Sequence, residues 1–428
     1  MMRFKEPIIL SRKQSGFLYL ALTLIFSIAG FLLVRSARGV AATGWMRIYL
    51  PQDIANFREL CSYVRNLRAP IPVVISILEI INHQICGNTD LTTQSLYRIS
   101  LVACYILSLN AFFSPNLKII ASFMFSVVFL WSAVIIHKLN PQTYDIFFPM
   151  FLLLYIFLMN RYKTSASSGK GRNLYLIGAG FFLSMAELSR PFVFFMLPLF
   201  ILNAFFLLKS KLKSFSLFLI PVFLFSGVWH FHLFMKYRQI TWSNHTGFNL
   251  SKAWDMVEPP PLVKEVHDAP LKPHRWRNLN TPEHYENSRR LQKTILKYIA
   301  THPLESVVHI ARQILYFLTP QIRIGKFHPR HQILRVYRPL AWISFIWILL
   351  NLYLLFRGFI RYGFKTLAST ENTLILAIVL STGFLAIGET GEQARMILSL
   401  LPLLAVFPEY RPPDYPTSQN GNNEIDSD

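Results

Sequence analysis

Carboxylates and basic residues gather in four polar stretches that separate long apolar runs. The first, residues 35–70, holds Asp53 and Glu59 among Arg35, Arg38, Arg47, Arg58, Arg65 and Arg68. The second carries Lys138 and Asp145, the third Glu187 and Arg190 in the turn LSRP, and the fourth, GETGEQARM, Glu389, Glu392 and Arg395. Arginine forks hold phosphate oxygens bidentately and offset charge that develops on a departing phosphate. A carboxylate beside them can deprotonate a hydroxyl or amine for attack on a sugar carbon. The chemistry such a set suits is transfer from a phosphate-linked donor. The plainer reading is that the first-stretch arginines snorkel to lipid headgroups and that Asp53 pairs with Arg58 on one short helix.

The elements that would position these residues are hydrophobic. The 428-residue chain is 53% hydrophobic, and its apolar residues come in blocks of roughly 14 to 21 residues, the pattern of membrane-spanning helices. The expected fold class is an all-α polytopic membrane protein of about 10 spans, within a range of about nine to twelve. The runs lie at 17–34, 97–113, 119–137, 146–160, 174–188, 191–208, 215–235, 340–356, 373–388 and 395–407. Segments 71–86 and 304–319 have one polar stripe each and read as interfacial amphipathic helices. A further helix is expected near 283–300, within a large polar loop at 236–338.

The net charge of +21 lies in the links, not in a basic stripe with interleaved aromatics. Positive-inside topology and membrane lipids explain it better than nucleic acid, which is not an expected partner. Arg3, Lys5, Arg12 and Lys13 place the N-terminus in the cytoplasm, and about ten spans return the C-terminus there. The links RYKTSASSGKGR, KSKLK and RGFIRYGFK are then all cytoplasmic, and the first is the best flexible cytoplasmic loop in the chain. All four carboxylate–arginine stretches fall on the outer face, where so much positive charge runs against the rule and calls for a function.

The domain organisation that follows is a transmembrane catalytic module at 1–235, an extracytoplasmic loop with its interfacial helix at 236–338, closing helices at 339–410 and a disordered cytoplasmic tail at 411–428. Cys61, Cys86 and Cys104 fit no metal or CxxC spacing, although Cys61 and Cys86 could pair. His267, His274 and His284 lack ligand spacing, so no metal centre is expected. No cofactor is expected either, with a divalent metal left open. No phosphate-cradling glycine loop is present to hold a soluble nucleotide donor. In SNHTGFNLSKAW, Asn249 and the aromatics suit a loop over a cavity mouth that stacks on a sugar, and equally an ordered polar turn. Asn244 and Asn249 each open an N-x-[ST] sequon.

The order of elements resembles the GT-C superfamily of polyprenyl-phosphate-sugar-dependent glycosyltransferases, near the protein O-mannosyltransferase and aminoarabinose transferase branch. The resemblance spans most of 17–407. It rests on LPQDIANF, LRAPIPVV, SLYRISLV with its Arg98, NPQTYDIFF, ELSRPFVFFMLP, SGVWHFHLF and GEQARMILSLLP. It implies Asp53 as general base and Asp145 as a second carboxylate lining the cavity. It also implies a polyprenyl-phosphate-sugar donor, an extracytoplasmic lipid, glycan or protein acceptor, and inversion at the anomeric carbon. With it go Arg58, Arg68, Arg98, Arg190 and Arg395 as donor-phosphate contacts, and Glu187, Glu392 and Asn249 in the substrate cavity. The implied setting is a bacterial inner or plasma membrane. Two departures stand out. Asp53 is followed by Ile54, Ala55, Asn56 and Phe57 where the family often has a small polar residue and then tyrosine, and Arg68 stands near the place of a lysine before the proline pair. A transporter or flippase of lipid-linked glycans, or a non-catalytic assembly subunit on the same fold, are the competing readings. A transporter more often sets its polar residues at the midplane on broken helices.

Overall fold

The computed structural model describes residues 144–165, 170–208, 212–242, 246–254, 282–318 and 331–388. Every regular element among them is a helix. The runs expected before 144 and after 388, and the segment 71–86, lie outside the described residues. Within the described residues, α1 is Tyr144–Thr164, α2 Lys170–Ser189 and α3 Pro191–Leu208. A continuous rod follows, made of α4 (Leu212–Val222), a π-helical turn (Phe223–Gly227) and α5 (Val228–Tyr237). Then come α6 (Thr246–Trp254), α7 (Pro282–Thr301), α8 (Pro303–Leu318), α9 (His331–Tyr362), a 3₁₀ turn (Gly363–Ala368) and α10 (Thr370–Gly388).

By length and composition, the 26-residue rod Leu212–Tyr237 can cross a membrane; Val193–Leu208 and Thr370–Ser381 are shorter apolar helices. The rod's outward side is a run of bare hydrocarbon, with Phe223, Leu224, Val228 and Phe231 each more than half exposed. The outer side of α9 repeats this with Ile346, Leu350, Tyr353 and Phe356. Water-facing surfaces seldom carry apolar patches of this extent.

α1 and α2 form an antiparallel pair, and α4 runs parallel to α2 on its other side. The helices touch where Gly180 faces α4, since a Cβ there would meet the Phe218 carbonyl oxygen. α10 is central and packs on α1, α3, α6, α8 and α9.

Polar groups concentrate at the two ends. At one end, Tyr155 donates to Asn203 Oδ1 (3.0 Å), and Asn203 Nδ2 donates to the Leu367 carbonyl (2.6 Å). Asn160 donates to Glu371 (2.7 Å), with Lys163 3.8 Å from the same carboxylate. The 3₁₀ turn thus has its free carbonyls satisfied by neighbouring helices, as buried backbone requires. Gly363 enters it at φ +59, a conformation that glycine adopts without penalty. The links after α1, after α3 and after α9 all gather at this end.

Two connections differ from expectation. Arg161, Lys163, Lys170 and Arg172 belong to α1 and α2, which leaves a shorter link than RYKTSASSGKGR suggests. Similarly, most of RGFIRYGFK is the end of α9 plus the 3₁₀ turn. Lysine and arginine are good helix formers, so a change from apolar to basic marks a membrane boundary better than a helix end. The stretch SNHTGFNLSKAW, read as a polar loop, is largely the helix α6. Gly247 allows its docking: its N–H donates to Ser288 Oγ (3.0 Å), and a Cβ there would lie 1.8 Å from the Ser288 carbonyl oxygen. Gly247→Ala must therefore force α6 and α7 apart. It is expected to cost about 3 kcal/mol, the upper range for overpacking, read as a lowered midpoint in thermal unfolding of the purified chain. An unchanged midpoint would refute this close approach.

Candidate functional site

The end opposite the 3₁₀ turn is about 30 Å away along α2, from its length at 1.5 Å per residue. It is here that the sequence places the LSRP turn. α2 stops at Ser189, and α3 resumes at Pro191, where proline is well suited to a helix start. Arg190 sits in the gap, 3% exposed, its N–H directed back to the carbonyls of Ala186 (3.2 Å) and Glu187 (3.3 Å).

Glu187 is fully buried and both its carboxylate oxygens are engaged. Ser226 donates to Oε2 at 2.6 Å, and His230 Nε2 lies 2.8 Å from Oε1. The π-helical turn carries Ser226, and just before it the Pro221 carbonyl accepts from Ser184 at 3.4 Å. Such turns are rare and recur at functional sites. His230 Nδ1 lies 3.1 Å from the Thr241 carbonyl, which can only accept, so this nitrogen carries a hydrogen. One proton then remains to be shared between His230 Nε2 and Glu187 Oε1: the pair is either imidazolium–carboxylate or imidazole–carboxylic acid. Trp242 Nε1 donates to the Glu187 carbonyl (2.8 Å), and Trp229 Nε1 to the Trp242 carbonyl (3.3 Å). Phe194 covers the imidazole with ring centroids 4.6 Å apart.

The result is a four-part chain, Thr241 carbonyl, His230, Glu187 and Ser226, that binds the α2–α3 turn to the rod. The Ser226 hydroxyl meets the carboxylate and not the imidazole, so this is not the nucleophile–base contact of covalent catalysis. Glu187, expected to line a substrate cavity, is fully buried with both carboxylate oxygens bonded, and its partner His230 is 13% exposed at its side chain. The set ties the end of α2, just before Arg190, to the π-helical turn and to α5.

Asp145 is the second residue of α1, whose N-terminus lies at this same end. Below it, Phe148 and Leu152 of α1, Val193, Met196 and Phe200 of α3, and Leu374, Ala377, Ile378 and Ser381 of α10 line a narrow, mostly apolar crevice of about 10 Å³. Asn249 lies on α6, which packs against α7 and α10. Asp53, Arg58, Arg68, Arg98, Glu392 and Arg395 lie outside the described residues. Among the described residues there is no group of three or more His, Cys, Asp or Glu able to hold a metal ion.

A second buried histidine lies beyond α6. His309 of α8 donates from Nε2 to the Ala253 carbonyl (3.1 Å) and packs on Trp254, with centroids 4.4 Å apart. Burial lowers its pKa from the ordinary value, keeping the ring neutral. His309 thereby satisfies one of the last carbonyls of α6, a group that the helix cannot pair itself.

Sequence reasoning found Glu187 and Arg190 from their charge in a short turn. It missed Ser226 and His230, whose available signal was a hydroxyl and an imidazole four residues apart in an otherwise apolar span. No protein-family model, no curated protein and no solved structure matches the chain.

Proposed function

We propose that the chain is a multi-pass membrane glycosyltransferase that moves a sugar from a polyprenyl-phosphate donor to an extracytoplasmic acceptor. The observation that supports this most is the polarity of the helical bundle. The basic residues flanking the links after α1, α3 and α9, among them Arg161, Lys163, Arg172, Lys213, Arg361 and Lys365, share one end. The Glu187–Arg190 turn, the start of α1 with Asp145, and the docked helix α6 belong to the other. The positive-inside rule makes the first end cytoplasmic and the second extracytoplasmic. The bare hydrocarbon on the rod and on α9 suits a surface that faces lipid.

In the proposed reaction, Asp53 takes the proton from the acceptor hydroxyl or amine. The acceptor attacks the anomeric carbon, the bond from that carbon to the phosphate oxygen breaks, and polyprenyl phosphate leaves with the electron pair. Arg58, Arg68, Arg98, Arg190 and Arg395 are the candidates to hold the phosphate as its charge grows. Asp145 lines the same cavity as the second carboxylate.

Two measurements test the reading. The reconstituted chain is expected to transfer label from a polyprenyl-phosphate sugar to an acceptor fraction of the same membrane. A reporter fused after Lys170 should register the cytoplasm, and one near Pro260 the outer side. The opposite pair of signals would put Arg190 and Asp145 on the wrong side for a lipid-linked donor and would refute the proposal.

A further inference from the structure

α7 and α8 behave as one kinked rod with a single outward face. Backbone bonds bridge the joint at Pro303, from His302 N–H to the Tyr298 carbonyl (2.8 Å) and from Ser306 N–H to the His302 carbonyl (3.0 Å). The Tyr298 and His302 rings stack across it at 4.4 Å. Helical phase is therefore kept. The buried positions Tyr285, Ser288, Leu291 and Ile295 of α7 continue as Ser306, His309 and Gln313 of α8. They are spaced three or four apart, and the step across the joint is a whole number of turns.

The opposite face changes character at the joint. On α7 it presents Arg289, Arg290, Lys293 and Lys297, all exposed, with the exposed Glu286 among them and Leu296 at the edge. On α8 it presents Leu304 (77% exposed), Val307 (63%) and Val308 (44%). Glu305 lies to one side and accepts from the Tyr298 hydroxyl at 2.7 Å. In α8 Ser306, His309 and Gln313 point into the protein, while Leu304, Val307 and Val308 face out with Glu305 and the exposed Arg312 along one edge, so the outward stripe is aliphatic with a charged border.

We infer that this face rests on an anionic phospholipid surface, with the aliphatic stripe of α8 set among the acyl chains and the cations of α7 on the headgroup phosphates. Charge selects the occupant. An apolar stripe alone would suit any partner, and a basic stripe alone any polyanion. A basic stripe running in phase into an aliphatic one matches the layering of a membrane interface, phosphate above hydrocarbon. The inference rests on the membrane-embedded part of the reading above and is independent of sugar transfer.

The test uses the full chain in lipid nanodiscs, with Cys61, Cys86 and Cys104 replaced by serine and a fluorophore on Val307→Cys. Quenching by spin-labelled phosphatidylglycerol is compared with quenching by spin-labelled phosphatidylcholine. The anionic quencher is expected to be favoured at least about threefold, given roughly 1 kcal/mol per basic residue near a charged surface. The preference should fall to near one in R289Q/R290Q/K293Q/K297Q and in salt of about 0.5 M, which screens headgroup charge. Inorganic phosphate at the same ionic strength as a chloride control should have no added effect, which separates a lipid surface from a free-anion site. Equal quenching by both lipids in the parent chain overturns the inference, as does quenching that depends on protein concentration, which would assign the face to a second copy. Failure to enter nanodiscs at all would instead count against the membrane reading itself.

Discussion

Glu187→Leu is expected to destabilise the chain by about 3–5 kcal/mol, the usual cost of removing one member of a buried, hydrogen-bonded pair. The leucine fills the volume but leaves the Ser226 hydroxyl and the His230 Nε2 without the carboxylate they face. Glu187→Gln is expected to cost only about 1 kcal/mol. Its carbonyl oxygen can accept from Ser226, and its amide can donate to a neutral His230 whose hydrogen is on Nδ1. The contrast isolates the hydrogen-bond network from the packing. Denaturant unfolding of the two purified variants measures it, and equal losses for Leu and Gln would show that the carboxylate's partners contribute nothing.

The second large effect concerns the chemistry. Asp53→Asn keeps the shape of the side chain and removes its basicity, so sugar transfer should fall at least about 100-fold, in line with the loss of a general base. In the proposed reaction arginines hold the donor through its phosphate, so the KM for the donor should change little while kcat drops. Arg68→Gln should do the opposite and raise the KM. Initial rates with labelled polyprenyl-phosphate sugar separate the two. Full activity in the asparagine variant would remove Asp53 as the base, and membrane insertion of that variant must first match the parent.

The apolar runs were enough to locate helices, because a helix that must bury or coat itself in hydrocarbon shows this in composition. The run 215–235 became the rod Leu212–Tyr237, and 304–319 became Pro303–Leu318. Ends were harder to read. The run 340–356 grew to His331–Tyr362, since the turns with Arg335, Arg338 and Arg361 are helical without being apolar. α6 was hidden by Gly247, Asn249 and Ser251, which are poor helix formers; docking on Ser288 outweighs that preference. At the candidate site, charge made Glu187 and Arg190 visible. What Glu187 pairs with could not be read locally, because a π-helical turn shifts Ser226 and His230 in phase and because those partners are far along the chain.

That distance has a consequence for assembly. The partners of Glu187 follow it by 39 and 43 residues, and all of α3 lies between. On the proposed multi-pass reading, α2 enters the bilayer before its buried carboxylate has a counterpart, and none exists until α3 and the rod past His230 have been synthesised. On that reading, the smallest set that can close the Ser226–Glu187–His230 bonds is α2, α3 and the α4–α5 rod.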